Sequence, residues 1–318
     1  MSQPVATCPT AAEGNLKPSD FGKANFSIEG YSVDGTVFDL EKAGRLMYLD
    51  AAAGEVSIRK MTVKNGFCAA LSDDRNGAGF HLVQSTARLR DIHMSQMDCS
   101  FEETLPREFN GGALYFKDST AHVQNVHVTD SVANHGAGVG SWGTDASIVE
   151  DSSFERLEGL RWGGAMLVEE HAHTEFHRCW FSHSYSPYGG ILDDGGQASP
   201  LYRDCVFDHG TALHGSAYYG YGSLFALGHW CSPPCNGYSH AAVYLTATVN
   251  PTFENITVLN NTANVDVGGV RSFVPLGILF KNSRFIGNRM ASNGADAAIQ
   301  VRAGQWDLLN EQRLDMST

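Results

Sequence analysis

Two adjacent acids, Asp193 and Asp194, are the residues of this chain best suited to chemistry. They follow the glycine pair Gly189-Gly190, where comparable segments carry Tyr115-Phe116, Leu167-Val168 and Tyr219-Gly220. An acid pair departs from that mostly apolar or aromatic pattern. A buried carboxylate without a partner is costly, so at least one of the two should face solvent or hold a partner. Arg178, His183 and His209 fall on neighbouring repeats, with Arg203 and Glu169 nearby. Proton abstraction beside a uronate carboxylate needs a base and a charge neutraliser, and this set could supply both. Tyr218, Tyr219, Tyr244 and Trp230 add aromatic surface of the kind that binds sugar rings. The plainer reading of the acids is a turn, because Asp193-Asp194-Gly195-Gly196 is strong turn chemistry. A calcium site from the same acids has no fixed ligand spacing here.

The chain has 13 histidines, and His171, His173, His177, His183, His209 and His214 crowd its middle. His183 and His209 are 26 residues apart and hold the same place in successive repeats. They should be neighbours on the outer surface, able to bind a metal or shuttle protons, or simply to be polar residues at strand ends. Cys179, Cys205 and Cys231 are also spaced by 26 and form one inward column. The plain reading is a stack of buried thiols. In-register neighbours have parallel Cβ directions, which suits a disulfide poorly. Cys231 and Cys235 could instead pair across Ser232-Pro233-Pro234, which would take Cys231 out of the column. The thiols lack a second Cys-x-x-Cys pair, so no metal site is assigned. Seven cysteines is an odd number, so at least one is free or pairs with another chain.

The elements that must position these residues come from an internal repeat. A pair of small residues followed by an apolar strand recurs as Gly77-Ala78-Gly79-Phe80, Gly111-Gly112-Ala113-Leu114, Gly136-Ala137-Gly138-Val139, Gly163-Gly164-Ala165-Met166 and Gly189-Gly190-Ile191-Leu192. It continues through Gly215-Ser216-Ala217-Tyr218, Ala241-Ala242-Val243-Tyr244 and Gly268-Gly269-Val270-Arg271, with a weak ninth copy at Ala297-Ala298-Ile299. The usual step is 25 to 27 residues, with one step of 34. A second, in-phase pattern places a polar residue three before a bulky apolar one, as in Asp151-Ser152-Ser153-Phe154 and Asp204-Cys205-Val206-Phe207. Alternation of this kind marks short strands with one buried face. One such repeat cannot bury its apolar face alone, and parallel stacking at about 4.8 Å per repeat can. The glycine pair permits a corner that a Cβ would obstruct. The expected fold is therefore all-β, a right-handed parallel β-helix of about nine coils. Residues 1–54 would supply an N-terminal cap and first strands, 55–302 the β-helix, and 303–318 a C-terminal cap or truncated end. Within the cap, Phe26-Ser27-Ile28 and Val37-Phe38-Asp39-Leu40 look strand-like, and 305–310 could form a short covering helix. Two places break the period: an insertion after Cys99, over 100–109, and the repeat in which Pro233 takes the bulky position. Proline cannot donate to a ladder, so that segment should leave the sheet.

The Gly-Gly-Ala-apolar pattern, with Phe285-Ile286-Gly287-Asn288 and more loosely Val258-Leu259-Asn260-Asn261, resembles the repeats of polymorphic outer membrane proteins. The resemblance covers residues 55–302 and implies a right-handed β-helix of the pectin-lyase-like type. It also implies a cell-surface, adhesive or structural role, while relatives of the same architecture include polysaccharide lyases, hydrolases and epimerases. Most copies lack the terminal Asn, and no catalytic motif of a lyase family is present.

Composition bounds the partners. The 318 residues carry a net charge of −13, which argues against nucleic acid, since a phosphate-binding surface needs clustered Lys and Arg. No apolar run approaches the roughly 20 residues of a transmembrane helix. The first ten residues lack the regions of a signal peptide. Asn25, Asn255 and Asn260 head N-glycosylation triplets. The favoured reading is a non-enzymatic extracellular or surface scaffold for adhesion or assembly, meeting a glycan or protein surface. The alternative is a carbohydrate-active enzyme (lyase, epimerase or hydrolase) acting on an acidic polysaccharide. That alternative requires Asp193 or Asp194, a histidine and an arginine to line one open groove. The Asn/Asp ladder Asn125, Asp151, Asp204, Asn255 and Asn282 should hydrogen-bond along its column.

Overall fold

The computed structural model describes residues 25–52, 54–68, 76–100, 111–144, 146–195, 198–214, 216–220, 243–245, 252–263, 270–272, 279–290 and 300–301. Among them the chain is all strand, without a helix, and the strands pair in parallel. They form three sheets, here I, II and III, of ten, 15 and seven strands. The chain visits them in turn. Val139–Trp142 lies in sheet I, Ile148–Glu150 and Ser153–Glu155 in sheet II, and Glu158–Trp162 in sheet III. Met166–Glu169 then returns to sheet I, directly beside Val139–Trp142. This circuit is compatible with a β-helix or solenoid. The strand-like segments near the start, Phe26–Glu29 and Val37–Asp39, both pair with Glu55–Lys64 and so extend sheet II.

Period-2 alternation creates the buried face. In Glu55–Lys64, Val56, Ile58, Met61 and Val63 are buried while the residues between them are wholly or partly exposed. Register then stacks like on like. Phe154, Phe181 and Phe207 form one ring stack, with centroids 5.1 and 5.4 Å apart. Phe176, Tyr202 and Phe253 form another, at 5.4 and 5.1 Å. Each such contact adds about 0.5–1.5 kcal/mol to simple area burial.

Corners are made by residues in the left-handed region. Gly111 and Gly163 open strands of sheet I with φ of 72° and 58°, and a Cβ on Gly163 would strike the carbonyl oxygen of Met166. A second column bends sheet II at its middle: Asp91, Asn125, Asp151, Arg178, Asp204, Asn255 and Asn282, all with positive φ. Asn and Asp tolerate this conformation best after glycine, which accounts for their recurrence. Of the expected ladder, the structure shows one bond between its own members, Asn255 to Asp204, while Asn125 and Asp151 bond other residues of the column. Asn125 Nδ2 donates to Asp91 Oδ1 at 2.7 Å, and Asn255 Nδ2 to Asp204 Oδ1 at 3.0 Å. Arg178 holds Asp151 through Nε at 2.6 Å and Nη2 at 3.0 Å. The Asp151 side chain is 40% exposed, so the ion pair itself contributes little. Asp151→Ala should lower the thermal midpoint by an amount equivalent to about 1–2 kcal/mol, mostly from backbone conformation. Asp151→Asn should hold the midpoint, and equal midpoints for Ala and Asn would contradict this.

The 100–109 insertion lies mostly outside the described residues, as do the suggested helix at 305–310 and Pro233. The ladder bypasses the repeat carrying Pro233: Phe207 pairs directly with Val258, and Tyr202 with Phe253. The register therefore leads from Cys205 to Ile256, and the three-thiol column is corrected to a pair. Cys179 and Cys205 are free and buried. Cys231 and Cys235 lie outside the described residues. A pairing that the sequence reading did not consider lies near the start of the chain. Cys68 and Cys99 are bonded, with Cα atoms 4.9 Å apart, beside the bridge between Phe67 and Asp98.

Candidate functional site

Asp193 and Asp194 lie on the sheet I strand Leu192–Asp194, between Met166–Glu169 and Tyr218–Gly220. Alternation sends them to opposite faces. Leu192, Met166 and Val168 belong to the core cluster, whereas Leu167, in register with Asp193, does not. Asp194 therefore faces the core. There Tyr202 donates its hydroxyl to the carboxylate, 3.0 Å from both oxygens. Burial, reinforced by the Asp194 charge, pushes the Tyr202 phenol well above its ordinary range. The pair works as a polar tie inside an aromatic stack.

Asp193 is on the outer face, yet it too is fully buried. It occupies space opened by two corners, since Cβ atoms on Gly163 and Gly189 would come within 3.4 and 3.1 Å of its own Cβ. Among the described residues, neither of its carboxyl oxygens has a hydrogen-bond partner of good geometry. Burial raises its pKa well above the usual carboxylate range, and the nearby Glu169 and Asp194 charges add to the effect. The Asp194 backbone N–H acts in the opposite direction. Other described members of the outer column are covered as well. His81 and Tyr115 are buried, and Tyr48, His81 and Tyr115 meet edge to face at 4.9 and 4.8 Å. Arg45, buried as well, bonds His81 Nδ1 through Nη1 at 2.8 Å. No protein-family model, curated protein or solved structure matches this chain.

The remaining candidates stand elsewhere around the coil. Arg178 is at the bend in the middle of sheet II, where Asp151 and Glu150 engage it and raise its pKa. His183 and His209 are at the exit from sheet II, with φ of 52° and 51°. Their rings are parallel, 4.7 Å apart, so the expected neighbour relation is present. Backbone register sets Tyr219 beside Asp193 and Tyr244 beside Tyr219, with Tyr218 beside Leu192. Trp230 lies outside the described residues. The acids, the arginine and the two histidines thus occupy three separate columns rather than one open groove. Among the described residues, no three His, Cys, Asp or Glu side chains are placed to enclose a metal.

Two buried histidines escaped the sequence-based reading. His135 is buried against Trp162, with ring centroids 4.8 Å apart. Burial, helped by the Arg161 charge, lowers its pKa to about 3. Burial likewise holds His81 well below the usual imidazole range. As the pH falls below about 6.5 the unfolded chain takes up protons at these sites before the folded chain does. Their stabilising effect is therefore complete above that pH and is lost on acidification towards their folded values. His135→Gln should flatten the acid limb of the thermal midpoint between pH 7 and pH 4, and an unchanged slope would contradict this.

Proposed function

We propose that the protein is a non-enzymatic scaffold, a right-handed parallel β-helix of about nine coils of the pectin-lyase-like type. It would present its outer columns to a glycan or protein surface in adhesion or assembly. The observation that carries this reading is the separation of the candidate catalytic groups. The acids are sealed in sheet I, while Arg178 is neutralised at one corner and the histidines are stacked at another. A base and a charge neutraliser must meet one substrate atom, and these groups do not converge. The Cys68–Cys99 disulfide favours an oxidising, extracellular setting. No helix among the described residues is long and apolar enough to cross a membrane. Incubation with uronate polymers should yield no unsaturated product by ultraviolet absorbance. A product that forms with the wild type and is lost in Asp194→Asn would overturn the proposal in favour of a lyase.

A further inference from the structure

We propose that His183 and His209 form an open, two-imidazole site for a divalent transition metal on the outer corner where sheet II ends. The strands Trp180–Ser182 and Val206–Asp208 pair in register, and each histidine is the next residue along the chain. Both have the same left-handed backbone shape, with φ of 52° and 51°. Equal backbone geometry on adjacent rungs aims the side chains alike, and the rings lie within 3° of parallel. One ring is also backed by a carboxylate. His209 Nδ1 lies 2.6 Å from Asp208 Oδ1. Asp208 is only 9% exposed, and its Oδ1 also accepts from Asn260 Nδ2 at 3.4 Å, so this carboxylate is held in place. A carboxylate on Nδ1 selects the tautomer whose Nε2 carries the free lone pair, which is how metal-ligating imidazoles are commonly oriented. The His209 side chain is 48% exposed, which leaves its ring open to solvent.

Imidazole nitrogen selects zinc, copper(II) or nickel(II) over magnesium or calcium. Zinc–nitrogen bonds of about 2.0–2.1 Å in tetrahedral geometry place two ligand nitrogens about 3.3 Å apart. The rings, 4.7 Å apart, must lean together to reach that spacing. Exposed side chains make such rotations in picoseconds to nanoseconds. With two protein ligands, the remaining positions belong to water or to a donor from another molecule. The site is therefore suited to joining surfaces and does not depend on the scaffold role for its existence.

The test is calorimetric titration of the full chain with zinc chloride, alongside His183→Asn, His209→Asn and Asp208→Asn. Asparagine suits the corner, since Asn260 holds the next position of the same column with φ of 49°. One zinc should bind per chain, and either histidine substitution should weaken it at least about tenfold. Asp208→Asn should weaken it by about 10–100-fold. Zinc-dependent shifts of the His183 and His209 ring protons in the wild type provide a readout that needs no variant. Absence of binding, unchanged affinity in both histidine variants, or unshifted His183 and His209 ring signals would overturn the proposal.

Discussion

Gly163→Val should cost about 2–5 kcal/mol and leave much of the chain insoluble. The position has a φ of 58°, a region that a β-branched residue adopts only under strain. Its Cβ would also strike the Met166 carbonyl oxygen, a backbone atom that cannot rotate aside. The corner is tied to both neighbours: Gly163 N donates to the Tyr188 carbonyl at 2.9 Å, and its own carbonyl accepts from Gly136 N at 2.8 Å. A shift at Gly163 is therefore passed to the rungs on either side. Gly44→Ala is the control, because nothing lies within 4 Å of the Cβ it would add. That change should stay within about 0.5 kcal/mol. Denaturant unfolding of both variants checks the contrast, and equal stabilities would show that the glycine corners do not carry the stack.

Asp193→Asn should stabilise the protein at neutral pH by about 1–3 kcal/mol, raising the thermal midpoint by several degrees. Asparagine keeps the shape and the buried polar atoms of the aspartate, so the difference isolates the ionisable proton. In the unfolded chain the carboxyl ionises near pH 3.9, whereas in the folded chain burial, with the charges of Glu169 and Asp194, raises its pKa well above that. Between those two values the folded state binds the extra proton, so stability falls as pH rises. The gain from Asp193→Asn should vanish below about pH 4 and grow steadily above it. His135 acts in the opposite sense, since stability is lost there as pH falls from about 6.5. A midpoint difference between wild type and Asp193→Asn that does not change with pH would show that Asp193 is not desolvated.

Much of the architecture is legible in residue types because a few positions per coil have one physical solution. The glycines before five sheet I strands (Gly77, Gly111, Gly136, Gly163 and Gly189) and the Asn or Asp in the middle of sheet II mark left-handed corners, and the structure has positive φ at both. The stacked pair His183 and His209 follows from equal spacing in the same column. Pro233 marks a repeat that the Phe207–Val258 pairing bypasses. The candidate site is less legible, for two reasons. Alternation places Asp193 on the outer face of sheet I, but outer is not the same as exposed where its column neighbours His81, Tyr115 and Leu167 are covered too. Closeness along the repeat also says little about position around the coil. Arg178, His183 and Asp193 lie within 15 residues but belong to the middle of sheet II, its exit and sheet I respectively. The Cys68–Cys99 bond stays hidden because its two rungs are 31 residues apart, as Val63 and Met94 are, and not the usual 25 to 27.

Asp193 and Asp194 are interior groups of the fold, sealed from solvent. Carbon-13 NMR of the aspartate carboxyls across pH measures this directly, with Asp193→Asn to assign the signal. The Asp193 signal should titrate well above the ordinary carboxylate range, with no transition near pH 4. A signal that titrates in the ordinary carboxylate range would place Asp193 in water and return the acid pair to the chemistry of an open site.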